Sequence, residues 1–251
     1  MKIAPALACT ALLIGCADSP QDADLEVGES QQPTICGTTD DAQYVNDYTG
    51  TLGPTTAFVS TYKGRAGAME ATATAGSSAK YCSGSLIATN LFLTAGHCVD
   101  STTVGEYVSF NYERAKGSTA LLTESHFRVE AVVEDELGGV DYAIVRLAGT
   151  PGTTWGVSAV AAGDPATGAA ITIIGHPAGA AKKIEAGTVQ SYSGSYMYYG
   201  NVDTLGGSSG SGVLNSSGQI VGVHTNGGCT STGGANSGIR ISKIRAVSAV
   251  L

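Results

Sequence analysis

Three short segments carry side chains that could do nucleophilic chemistry together. Thr94-Ala95-Gly96-His97-Cys98 offers an imidazole, and Asp141 opens the apolar run Tyr142-Ala143-Ile144-Val145-Arg146-Leu147. Gly206-Gly207-Ser208-Ser209-Gly210-Ser211-Gly212-Val213 surrounds serines with glycine. A serine hydroxyl is a weak nucleophile until an adjacent base takes its proton. Imidazole suits that task near neutral pH, and a carboxylate on its other ring nitrogen would fix the tautomer. Each segment alone has an ordinary structural explanation: a core histidine, a strand-end aspartate, a hairpin loop. In the order His97, Asp141, Ser209 they point to acyl transfer.

Residues so far apart in the chain need a scaffold of many short elements to meet. Runs rich in β-branched residues, separated by Pro-Gly, Gly-Gly, Asn-Gly and Ser-Gly dipeptides, predict strands over 57–62, 82–88, 107–112, 127–133, 142–147, 170–175, 187–192, 213–215, 219–224 and 238–241. That spacing predicts an all-β sandwich or a pair of barrels, closed by a short helix within 242–251. No internal repeat is evident.

The chain has 251 residues, of which 35 are glycine and 14% are charged, with a net charge of −8. With 43% hydrophobic residues a core is available, which argues against disorder. No basic cluster exists, so nucleic acid is excluded as a partner. The acidity is local. Residues 17–50 carry eight acids and no base, leaving the rest of the chain close to neutral. Lys2 and the apolar run Ile3–Ile14 predict an export signal too short to span a bilayer. It ends in Leu13-Ile14-Gly15-Cys16, which resembles the lipobox of bacterial lipoproteins, so Cys16 is expected to be acylated and to attach the chain to a membrane. Residues 17–33 predict a flexible spacer. Beyond the leader, Cys36, Cys82, Cys98 and Cys229 form an even set with three possible pairings. No close-spaced pair suits zinc, so disulfides in an oxidising compartment are expected, and neither metal nor cofactor.

From about residue 54 to the C-terminus the chain resembles the chymotrypsin-like serine proteases, on the strength of the His97, Asp141 and Ser209 segments. The resemblance implies two six-stranded antiparallel β-barrels with the site in the cleft between them, the second beginning near Gly163. It implies a domain order of signal (1–16), spacer and strap (17–53) and protease (54–251), acting as a monomer on protein or peptide substrates. His97 would be the base, Asp141 its partner and Ser209 the nucleophile, with the amides of Gly207 and Ser209 as oxyanion hole. Thr225-Asn226-Gly227 would pair with the bound peptide. The family disulfide around the histidine implies Cys82–Cys98, which leaves Cys36 for Cys229.

The second half resembles the bacterial glutamyl endopeptidases. Asp203-Thr204-Leu205-Gly206-Gly207-Ser208-Ser209-Gly210-Ser211 and Val223-His224-Thr225-Asn226-Gly227 carry that likeness. It implies that His224 and Thr204 hold the carboxylate of a substrate glutamate. Asp203 supports the alternative, an Arg- or Lys-specific enzyme, because trypsin-like members keep their selecting aspartate six residues before the nucleophile. Gly175-His176-Pro177-Ala178-Gly179 with Lys182-Lys183 also resembles lysyl endopeptidases. A catalytically silent binding lipoprotein is a third alternative. Two departures stand out. Ser208 replaces the aspartate that receives a new N-terminal amine in trypsin-type zymogens, which excludes activation by that ion pair. Gly212 stands where many members have proline. Glu26-Val27 is a candidate self-cleavage bond, and His126 and His176 are expected in surface or turn positions.

Overall fold

The computed structural model describes Met1 and residues 34–251, so the export leader, Cys16 and the Glu26-Val27 bond lie outside the described residues. Fifteen strands run in chain order: β1 (Gln43–Tyr44), β2 (Ala66–Glu70), β3 (Lys80–Leu86), β4 (Leu91–Thr94), β5 (Tyr107–Phe110), β6 (Ser125–Asp135), β7 (Ala143–Leu147), β8 (Ala170–Gly175), β9 (Lys183–Ser193), β10 (Tyr196–Gly200), β11 (Gly212–Asn215), β12 (Ile220–Asn226), β13 (Cys229–Thr230), β14 (Gly233–Gly234) and β15 (Asn236–Arg240). Among the described residues three short α-helices accompany them, α1 (Thr56–Tyr62), α2 (Pro151–Trp155) and the closing α3 (Ile241–Val247).

Strands β2-β3-β4-β7-β6-β5 close an antiparallel barrel through the β2–β5 pairing. Met69, Leu86, Phe92, Val108, Phe110, Val129 and Ile144 fill it and are fully buried. Each such side chain contributes ~1.5–3 kcal/mol relative to exposure. Phe92 meets Phe110 edge-on with ring centroids 6.0 Å apart, the arrangement that aromatic quadrupoles favour. A second barrel runs β8-β9-β10-β15-β12-β11 and returns to β8, with β1 added along β9. The expected pair of six-stranded barrels with a short terminal helix is therefore present.

One expected strand is a helix. Residues 57–62 read as β from their aromatic and β-branched content, but they belong to α1. Thr55 Oγ1 accepts the Phe58 amide at 3.1 Å and caps the first turn. Phe58 and Tyr62, four apart, then bring their rings to 4.5 Å on one helical face. Strands β2, β4 and β10 lie outside the expected runs, as do the two-residue β1, β13 and β14. Ala-Gly-Ala-Met-Glu has no β-branched residue to mark it, and burial of all five residues, not propensity, makes β2 a strand.

A buried charge cluster fastens the barrels together. Glu113, following β5, accepts Lys182 at 3.1 Å, Lys63 at 2.5 Å and the Asn46 amide at 3.0 Å. Burial alone would raise the Glu113 pKa, but Lys182 and Lys63 outweigh it and hold the group at about 2, below its ordinary 4.5. A carboxylate depressed in the folded state contributes stability that is fully present above the unfolded pKa and is lost as pH falls through the folded one. Urea unfolding should therefore show a stability increment that fades between about pH 5 and pH 2, and Glu113→Gln should remove it. Identical pH slopes in the two proteins would refute the assignment.

Candidate active site

His97 lies on a single 3₁₀ turn, Gly96–Cys98, that follows β4. Its ring Nδ1 is 3.0 Å from Asp141 Oδ2 and 3.1 Å from Oδ1, and its backbone N–H donates to the same Oδ1 at 2.9 Å. Asp141 therefore sets both the position of the turn and the orientation of the ring. It sits just before β7 with φ 44°, a left-handed conformation that aspartate tolerates better than most residues. The turn that holds it there converges on one carbonyl, that of Glu136, which accepts the amides of Gly139, Val140 and Asp141. Burial opposes the charge of Asp141, yet the ring and backbone bonds from His97, with the Gly96 amide, hold its pKa below the usual aspartate value. The carboxylate stays ionised, and Nε2 is left as the ring's free nitrogen. The side chain of His97 is 37% exposed.

Ser209 comes from the other barrel, and β3 holds it in place. The Ser83 amide donates to the Ser209 carbonyl at 2.8 Å, and Cys98 Sγ lies 3.7 Å from that carbonyl. Cys98 is disulfide-bonded to Cys82, so the His97 turn and the Ser209 loop are fastened to the same strand. Among the described residues no hydrogen bond joins Ser209 Oγ to the His97 ring. The residues that approach the serine are arranged around its backbone instead.

The glycines before the serine serve a steric purpose. Gly207 has φ +92°, and a Cβ there would stand 2.6 Å from the His176 carbonyl. The Gly206 carbonyl is turned to the Ala178 N–H at 2.6 Å. Across a trans peptide this directs the Gly207 N–H to the opposite side. Among the described residues neither the Gly207 nor the Ser209 N–H has a partner, although most buried amides are paired. Ser208, at the position where trypsin-type zymogens use aspartate, accepts the Leu205 amide on its hydroxyl at 3.2 Å and closes the loop locally.

Ser83 was not singled out in the sequence, and it joins every part of this arrangement. Its fully buried hydroxyl donates to the Gly207 carbonyl at 2.7 Å and accepts the His176 amide at 2.9 Å. Its own carbonyl accepts Thr94 Oγ1 at 2.8 Å. Its place directly after Cys82 was the only sequence signal available.

The candidate specificity residues fall into two groups. Thr204 and His224 are both buried, and Thr204 Oγ1 has no partner among the described residues. His224 Nδ1 is 2.6 Å from the Tyr199 hydroxyl, a contact no local motif announced, since β10 itself was unexpected. Burial first, and then the nearby His97, push the His224 pKa down to about 3, while the Ser237 backbone acts the other way. His224 is thus a neutral imidazole at neutral pH. Burial raises the Tyr199 hydroxyl well above its ordinary value, so it keeps its proton.

Asp203 faces elsewhere. Its Oδ1 accepts the Cys36 amide at 2.6 Å and its Oδ2 the Asp41 amide at 3.1 Å. The carboxylate is thereby committed to the N-terminal strap, which the Cys36–Cys229 disulfide and β1 hold against the second barrel. Thr225, Asn226 and Gly227 lie at and just beyond the end of β12. The β11 pairing begins at Gly212–Val223, and beyond it the Ser211 carbonyl accepts the His224 amide at 2.9 Å and the Gly210 amide donates to the His224 carbonyl at 2.8 Å, so among the described residues that edge of β12 is open only past His224.

The remaining candidates have structural duties. Lys182 is buried against Glu113, and Lys183 lies 3.4 Å from Asp40. His126 bonds Glu70 at 2.6 Å. His176, expected in a surface or turn position, is in a turn but wholly buried, stacked on Tyr112 with Nδ1 on the Ala180 carbonyl.

A family model described as a trypsin-like peptidase domain matches residues 82–223, more than half of the chain. No curated protein matches. Among solved structures the chain is similar to one described as a Glu endopeptidase in complex with MPD. The identity is 27%, the match covers 82% of this chain and 94% of that one, and the TM-score is 0.57. It is also similar to the serine endoprotease from Yersinia pestis, at 16% identity over 76% of this chain and 63% of that one, with a TM-score of 0.56. The second likeness is one of fold alone.

Proposed function

The chain belongs to the trypsin-like peptidase family and is a serine protease; from that premise we propose that it is an exported endopeptidase cleaving after glutamate. His97 takes the Ser209 hydroxyl proton as Oγ attacks the scissile carbonyl, and Asp141 stabilises the imidazolium that forms. The negative oxygen of the tetrahedral intermediate lies against the Gly207 and Ser209 amides, a donor pair in which each member is worth ~3–4 kcal/mol. His97 then gives its proton to the leaving amine, and water, activated by the same imidazole, releases the acyl group from Ser209. The hydrogen bond from Ser209 Oγ to Nε2 forms as substrate binds, since such contacts commonly tighten only in the complex. The substrate backbone adds as a strand along residues 225–227.

The observation that carries the specificity is the orientation of Asp203. With its carboxylate on the Cys36 and Asp41 amides, an arginine or lysine side chain has no counter-charge in the pocket. His224 Nδ1 lies 2.6 Å from the Tyr199 hydroxyl, which keeps its proton; with that hydroxyl as the donor, Nε2–H and the unpartnered Thr204 Oγ1 are left for a substrate carboxylate. Charge-assisted hydrogen bonds of this kind contribute ~1.5–3 kcal/mol. Likeness to a Glu endopeptidase points the same way.

The test is a comparison of Glu, Arg and Lys ester substrates. The Glu ester should be preferred, and His224→Leu should lower its kcat/KM by roughly 10–100-fold without a like loss for an apolar ester. Turnover of the Arg ester alone would transfer the specificity to Asp203. The proposal includes the leader: residues 1–16 direct export, acylated Cys16 tethers a monomer, residues 17–53 form spacer and strap, and 54–251 form the protease domain with its second barrel from about residue 163.

A further inference from the structure

Strand β9 opens Lys183-Ile184-Glu185, and Glu185 pairs in register with Ile173 of β8 inside a run of buried positions. A carboxylate has no apolar partner to suit it there. Glu185 is 4% exposed, and among the described residues no N–H or hydroxyl donor reaches either of its oxygens, its closest charged neighbours being other carboxyls, Asp41 among them. Leaving such a group unpaired costs several times the worth of an ordinary hydrogen bond. Its neighbours do not relieve it. Carboxylate oxygens of Asp40, Glu185 and Asp203 all lie within 4.8 Å of one another, gathered from the strap, from β9 and from the loop before Ser209. The cation bonded to this group, Lys183, reaches only Asp40, at 3.4 Å.

We propose that Asp40, Glu185 and Asp203 bind a divalent cation, with calcium as the best match. The ligand set is all oxygen, which suits a hard cation and not zinc or copper. Two oxygens on one calcium at about 2.3–2.6 Å can lie up to about 5 Å apart, and this set falls within that span. Magnesium requires shorter bonds and near-ideal octahedral geometry, which three carboxylates from three separate segments supply less readily. The Asp203 oxygens keep a lone pair each beyond the Cys36 and Asp41 amides. Asp40, at the exposed rim, gives the ion an entry path. The site ties the strap to the residue immediately before Thr204, so occupancy would stiffen one wall of the pocket.

Calorimetric titration of the EDTA-stripped intact chain with CaCl₂ tests this, with MgCl₂ in a parallel arm. Saturable binding of one calcium per chain is expected, weaker for magnesium, together with a calcium-dependent rise in Tm. Glu185→Gln should weaken binding at least tenfold and remove most of that rise. Asp40→Asn, on the exposed side, should also weaken binding about tenfold and serves if the buried variant does not fold. No saturable binding at millimolar calcium, or full affinity retained in whichever variant folds, would overturn the site. Ester hydrolysis is not the readout, so failure here leaves the protease reading standing, and the reverse holds.

Discussion

Ser209→Ala lowers kcat/KM on the best ester or peptide substrate by on the order of 10⁵–10⁶, and it abolishes covalent labelling by a fluorophosphonate probe. The size follows from the way the three side chains act as one unit. Without the hydroxyl there is no acyl-enzyme, and His97 has no proton to move. What remains is the contribution of the Gly207 and Ser209 amides and of substrate binding. Ser83 holds the loop through the Ser209 carbonyl and not through its side chain, so the truncation leaves the backbone bonds in place and Tm should hardly change. Asp141→Asn is the companion measurement. It keeps the size of the side chain but presents the ring with the wrong partner, for a loss of ~10⁴. If purified wild-type protein takes no label at Ser209, the chain is a protease-like binding protein and the triad is idle.

Paired replacement of Cys36 and Cys229 by serine has the largest expected effect on stability. The disulfide closes a loop with a sequence separation of 193 residues. In the chain-entropy model such a closure contributes ~5 kcal/mol. For a domain of this size that corresponds to a fall in Tm of roughly 10–20 °C. The strap would then be held by the short β1 pairing and a few amides, among them Gly37 N to the Thr230 carbonyl. Specificity should suffer with stability. Once the Cys36 and Asp41 amides no longer hold it, the Asp203 carboxylate is free to turn toward the pocket beside Thr204 and repel a substrate glutamate. Differential scanning calorimetry with Glu-ester kinetics on the same sample checks both. An unchanged Tm would mean that the strap contributes nothing to the folded state.

Much of the site was legible because its chemistry is local. The segment around His97, Asp141 just before β7 and the glycines around Ser209 each state a conformational requirement that neighbouring residues satisfy. Gly207 is the clearest case: φ +92° and a Cβ contact of 2.6 Å with His176 leave no other residue. Ser83 and Tyr199 carried no such signal. Their roles depend on partners more than a hundred residues away for Ser83 and on an unrecognised strand for Tyr199.

The order of the chemical residues, the all-β class, the even cysteines and the acidity of the leader follow from composition and spacing, because each is a property of neighbours in the chain. Three matters were decided only by folding. Residues 57–62 became a helix through a Thr55 cap and a Phe58–Tyr62 contact that outweigh their β propensity. His224 became a neutral group because the barrel buries it. Asp203, which the bare order of residues places equally in a trypsin-like pocket or out of it, was turned outward by two amides of a strap more than 160 residues away. Spacing along a chain specifies which groups are available; the direction in which a carboxylate points depends on the donors that three-dimensional packing brings to it.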